Sequence, residues 1–109
     1  MRRLAKPGSL RIDLPLEAIA GLCRKWRIRR LEVFGSALRA DFGPASDVDF
    51  LYTPADDAHW GLRFVTLVNE FREAVGRPVD LLSRIAVERS ANPFRKQAIR
   101  STAETIYEA

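Results

Sequence analysis

Residues 31–52, LEVFGSALRADFGPASDVDFLY, decide how this chain is read. Arg30–Phe34 has the alternation of a strand, with Leu31 and Val33 on one face, and Gly35 ends it. Ser36 then caps a short helix that runs to Ala40. The run Asp41–Ser46, with Gly43-Pro44 at its turn, is loop chemistry. Asp47–Tyr52 is a second strand. Its period places Asp47, Asp49 and Leu51 on one face, with Val48, Phe50 and Tyr52 on the other.

The two strands frame a site. Gly35 lets backbone approach a ligand closely. Amides opening the following helix carry partial positive charge suited to phosphate, and Ser36 adds a hydroxyl. Arg39, one turn on, brings a guanidinium to the same place. Asp47 and Asp49 lie roughly 6.5–7 Å apart along their strand. Two carboxylates that close repel each other, and a divalent cation relieves the repulsion. Magnesium favours a few carboxylates together with substrate phosphates. Asp80 falls in an otherwise apolar strand, Pro78–Ser83, where a carboxylate opposes both strand propensity and burial. Beside the first two it completes a set able to hold two metals, aligning an attacking hydroxyl with a leaving pyrophosphate.

Outward from this centre, Pro15 opens a helix that continues through Leu16, Ile19, Ala20, Cys23 and Trp26. Phe64, Leu67, Val68, Phe71 and Val75 mark a second helix, stopped by Gly76. Asn92-Pro93 starts a final helix expected to run through Ile106. Residues 1–14 are expected to form an arm, with a short strand at 10–13, and residues 15–109 the domain. The fold class is α/β (α+β), a small mixed sheet with helices packed on it.

Composition narrows the function. At 109 residues, with 47% apolar and 29% charged residues, the chain suits one globular domain. It has no apolar run of the roughly 20 residues a membrane helix needs, and a cytoplasmic location is expected. One cysteine, Cys23, excludes an internal disulfide, and its place on an apolar helix face suggests a buried thiol. Residues 1–34 hold nine Lys/Arg against three Asp/Glu. The cluster Arg24, Lys25, Arg27, Arg29, Arg30 can attract nucleic acid or an acidic protein. A solvated helix end explains it better, because no exposed aromatics are interleaved for base stacking, and direct nucleic-acid binding is not expected. His59 is assigned to a surface loop, and Trp60 and Tyr52 to packing against the sheet.

Gly-Ser, ten residues, Asp-x-Asp, then a later strand aspartate resembles the motif of the DNA polymerase beta-type nucleotidyltransferase superfamily, and more closely that of minimal nucleotidyltransferase (MNT) domain antitoxins. The resemblance spans about residues 15–109. It implies the nucleotidyltransferase fold and ATP as substrate with Mg2+, two ions in number. Asp47, Asp49 and Asp80 would hold metal and activate the hydroxyl. Gly35, Ser36, Arg39 and Ser46 would hold the nucleotide. It also implies a HEPN-domain ribonuclease toxin as partner, with AMP moved to one of its hydroxyls, a tyrosine. A second reading is a non-catalytic antitoxin that neutralises its partner by occlusion. Where the family often has Ala-Arg-Gly, this chain has Leu38-Arg39-Ala40, losing a glycine from the loop. A glycosyltransferase Asp-x-Asp leaves Gly35-Ser36 without a role. A calcium loop fails because Leu51 falls where the next ligand belongs.

Overall fold

A computed structural model describes residues 3–4, 14–34, 47–56, 58–89, 97 and 103–109. Its strands are β1 (Arg3–Leu4), β2 (Ile28–Phe34), β3 (Val48–Pro54), β4 (Val79–Ser83) and β5 (Glu104–Glu108). Its helices are α1 (Leu16–Lys25), α2 (Phe64–Val75) and α3 (Arg84–Glu88), with a 3-10 turn at Gly61–Arg63 leading into α2. The strands form one mixed sheet in the order β1-β5-β2-β3-β4. All neighbours are antiparallel except β3 and β4, which run parallel.

A parallel pair needs a crossover, and α2 supplies it. Leu67 and Phe71 are its buried side, and Gly76 ends it in the left-handed conformation at φ 81°. Helix α1 buries Ile19, Ala20 and Cys23. Together α1 and α2 cover one sheet face, formed by Leu31, Val33, Val48, Phe50, Val79 and Leu81. The rings of Phe50 and Phe71 meet at 5.9 Å. Burial raises the Cys23 thiol to about 12, so it packs as a small apolar group and does not react as a thiolate.

Between α1 and β2 the chain turns at Arg27, whose φ of 58° is unfavourable for a side-chain-bearing residue. Hydrogen bonds brace the turn from both sides. The Trp60 Nε1–H donates to the Trp26 carbonyl at 2.8 Å, and the Ala55 N–H donates to the Arg27 carbonyl at 2.9 Å. A polar clamp joins the two long helices. Glu70 accepts from Lys25 Nζ at 2.8 Å and from Trp26 Nε1 at 2.8 Å. The Lys25 and Trp26 hydrogen bonds hold the Glu70 carboxyl below its ordinary value.

The C-terminal end departs from the sequence reading. Gln97 is helical, but the helix expected to reach Ile106 gives way to β5. Thr105, Ile106 and Tyr107 are β-branched or aromatic and favour a pleated surface. The slot between β1 and β2 offers hydrogen-bonding edges on both sides, and Ile106 and Tyr107 bury there. Within the stretch read as an arm, Arg3 and Leu4 pair with Glu108 and Tyr107. The short strand expected at 10–13 lies outside the described residues.

Replacing Phe71 with alanine removes one partner of the central ring pair, and the expected cost is about 3–5 kcal/mol in urea unfolding; a loss below about 1 kcal/mol would contradict this packing. For Glu70, a carboxyl depressed in the folded state stabilises above its unfolded value and loses that contribution as pH falls through the folded value. The wild-type melting temperature should therefore fall faster than that of Glu70→Gln as pH is lowered from about 5. Parallel acid limbs in the two proteins would refute the clamp.

Candidate active site

The parallel ladder begins where the Val48 N–H donates to the Pro78 carbonyl at 3.0 Å. That bond fixes the register Val48↔Val79, Asp49↔Asp80, Phe50↔Leu81, Leu51↔Leu82. Residues paired across a ladder share a face. Phe50 and Leu81 lie in the main core, whereas Leu51 and Leu82 belong to a second apolar cluster with Val87 and Phe34. Asp49 and Asp80 therefore project from the second face, the one that α1 and α2 leave uncovered. The β2 partner of Asp49 is Phe34, the residue before Gly35 in sequence. Asp49 is half-buried, while Asp80 and Asp47 are exposed. Asp47 stands two residues before Asp49, just ahead of β3, in the same strand parity.

Gly35, Ser36, Arg39 and Ser46 lie outside the described residues. So does the short helix expected at 36–40. Among the described residues, no three acidic, histidine or cysteine side chains form a cluster that would hold a metal ion as they stand. The donor chemistry nonetheless fits a hard cation: every candidate is a carboxylate at or near the start of two neighbouring parallel strands.

Sequence reasoning missed a fourth carboxylate on this face. Glu32, opposite Leu51, is only 3% exposed. Arg84 Nη1 donates to both its oxygens, at 2.6 and 2.9 Å. Arg30 Nη2 approaches at 3.6 Å, and the same guanidinium donates to Thr105 Oγ1 at 2.9 Å. Ser83 caps α3 by accepting from the Ala86 N–H at 3.2 Å, which sets Arg84 over the strand. The network ties β2, β5 and α3 together below the aspartates. In the sequence, Glu32 reads as the polar member of an alternating strand, and nothing in the spacing links it to Arg84.

Tyr52 and Trp60 pack as expected, with ring centroids 5.2 Å apart and Phe64 beside both. Burial raises the Tyr52 hydroxyl, opposed by a hydrogen bond with the Ser83 side chain. His59 is exposed in its loop.

The fold is thus a mixed sheet with one face covered by α1 and α2 and with Asp49 and Asp80 in register on the other. The sequence profile of the nucleotidyltransferase domain matches residues 17–106, and this chain belongs to that family. Solved structures share the fold. One, of a toxin–antitoxin with AMP-PNP, is 22% identical with a TM-score of 0.65, covering 88% of this chain and 75% of that one. A chain from the complex of the tri-AMPylated Shewanella oneidensis HEPN toxin with its MNT antitoxin is 21% identical, TM-score 0.55, covering 86% and 70%. A protein assigned as a minimal nucleotidyltransferase is 28% identical, TM-score 0.62, covering 82% and 86%. No curated protein sequence matches the chain.

Removing Arg84 leaves Glu32 as a buried carboxylate without its main counter-charge. Arg84→Ala should cost about 1–3 kcal/mol. The double variant Glu32→Met with Arg84→Met should recover most of it, because breaking a pair costs more than replacing it with packed apolar groups. Urea unfolding measures both; an Arg84→Ala protein as stable as wild type would show that the pair is not what holds α3 down.

Proposed function

We propose that this protein transfers AMP from ATP, with Mg2+, to a hydroxyl on a partner protein, a tyrosine of a HEPN-type toxin, and acts as that toxin's antitoxin in the cytoplasm. The observation that carries the reading is the register of Asp49 with Asp80 on the face opposite α1 and α2, one strand from the residue preceding Gly35. Membership of the nucleotidyltransferase family supports the reaction class. The fold neighbours seen with AMP-PNP, and with an AMPylated HEPN toxin, support the nucleotide and the acceptor. No helix among the described residues is long and apolar enough to cross a membrane.

In this reading, Gly35, Ser36, Arg39 and Ser46 hold the triphosphate, and Asp47, Asp49 and Asp80 hold the metal. The bound cation supplies charge neutralisation of the phosphates. Asp80, the more exposed of the register pair, takes the proton of the incoming hydroxyl. The hydroxyl oxygen bonds to the α-phosphorus, the bond to the bridging oxygen breaks, and pyrophosphate leaves. AMP remains joined to the acceptor through a phosphodiester.

The test combines purified protein, labelled ATP, Mg2+ and the protein encoded by the adjacent reading frame. Wild type should label the partner, with an added AMP mass on a tyrosine peptide. Asp80→Asn should lower the rate by about 10²–10⁴-fold. Absence of labelling by wild type, together with an unmodified partner isolated from cells, would overturn the reaction. Full protection of cells by Asp47→Ala and Asp49→Ala variants would replace it with neutralisation by occlusion.

A further inference from the structure

The second face carries another feature, at the end of β3 away from Asp49 and Asp80. A cavity of about 350 Å³ opens there between the sheet and α3, a size within the range of small-ligand pockets. Its described walls include Arg29, Arg30, Thr53 and Glu108 from the strands, and Ile85 and Glu88 from α3. Register orders the floor. Arg30 pairs with Thr53 of β3 on one side and with Glu108 of β5 on the other. The three residues therefore stand in a row across the sheet, about 4.8 Å between neighbours. The ladder of β2 with β3 shifts between Ile28 and Arg30, which leaves Arg29 as an extra residue. Strand alternation alone would send Arg29 and Arg30 to opposite faces. The shift lets both line the one cavity.

Charge on these walls is balanced. Arg84, which also borders the cavity, bonds Glu32 and reaches Glu88 at 3.3 Å. Arg30 donates to Thr105 and approaches Glu32. Arg29 has the Asp56 carboxylate at 4.0 Å, with both side chains exposed. Thr53 stands apart from this pairing. It is only 8% exposed, and its hydroxyl has no hydrogen-bond partner among the described residues. Buried hydroxyls are nearly always bonded, and this one sits beside a guanidinium at the edge of a cavity.

We infer that the cavity binds a small zwitterion, an α-amino acid with an apolar side chain. Its carboxylate accepts from Arg29, Arg30 and the Thr53 hydroxyl. Its ammonium donates to Glu108, at the other end of the row. Its side chain lies on Ile85, which is 44% exposed. A guanidinium offers five N–H donors in a planar fork, and a hydroxyl adds another, so the set suits a carboxylate. Phosphate matches less well. The arginines are already balanced, so added net negative charge would face Glu88 and Glu108, whereas a zwitterion brings none. The inference does not rest on the proposed chemistry. Asp49 lies four residues back along β3, about 13 Å away at 3.3 Å per residue, and Glu32, opposite Leu51, stands between.

The test is an NMR titration of the full isotope-labelled chain with L-leucine. Isocaproate, which lacks only the amino group, isoamylamine, which lacks only the carboxylate, and inorganic phosphate are titrated alongside. Leucine should shift the amide signals of Arg30, Thr53, Ile85 and Glu108 saturably and leave those of Asp49 and Asp80 in place. Each of the other three should bind about tenfold more weakly or worse. Thr53→Val keeps the shape and removes the hydroxyl. It should weaken leucine about tenfold while melting at or above the wild-type temperature, because it deletes a buried group that has no partner. Glu108→Gln should weaken leucine about tenfold and isocaproate little. The inference is overturned by no saturable shift with leucine, by isocaproate or phosphate binding as tightly as leucine, by shifts centred on Asp49 and Asp80, or by leucine affinity unchanged in both variants. AMP transfer plays no part in this readout, so its failure and that of the proposed reaction are separate events.

Discussion

The parallel pairing of β3 with β4 is the constraint on which the rest of the structure depends. Once Val48 bonds to Pro78, every following pair is fixed: Val48 with Val79, Asp49 with Asp80, Phe50 with Leu81. A slip of one residue would send Phe50 to the second face and turn Asp49 into the core. Phe50 is fully buried against Phe71, so the hydrophobic core itself enforces the register that sets two carboxylates side by side. Two such carboxylates repel. Packing on one face therefore decides which side chains meet on the other.

The two faces are finished differently. Helices α1 and α2 close the first with apolar side chains. Among the described residues, the second is covered by the short α3, and that cover is anchored by charge: Arg84 on Glu32, with Leu51 and Val87 beneath. A buried ion pair of this kind is a weak source of net stability but penalises any arrangement that separates its members. It fixes where α3 lies relative to β2, on the same face as Asp49 and Asp80.

Much of this was legible from the residues. The alternation of Asp47–Tyr52 correctly divides Asp49 and Leu51 from Val48, Phe50 and Tyr52, because a strand's period is simple and both sets are chemically distinct. The positions of α1 and α2 follow from their apolar spacing, with Gly76 as the stop of the second. What failed was the C-terminal end. Asn92-Pro93 is a real helix-start signal, but a start does not say how far a helix extends, and Thr105-Ile106-Tyr107 answers to the open edges beside β1 and β2. The Glu32–Arg84 pair was illegible for a related reason: it joins residues 52 positions apart, and only the tertiary fold brings them together. The roles of Gly35, Ser36, Arg39 and Ser46 rest on sequence alone.

The antiparallel run of β2 against β3 also separates two kinds of surface. Phe34 and Asp49 meet at one end, and Ile28 and Pro54 at the other. Asp49 stands at the first end, and at the second the Lys25–Glu70 pair and the Trp60 N–H on the Trp26 carbonyl hold the turn from α1 into β2. The end that carries the carboxylates is therefore built on a strand pair whose far end is pinned by hydrogen bonds rather than left to fray.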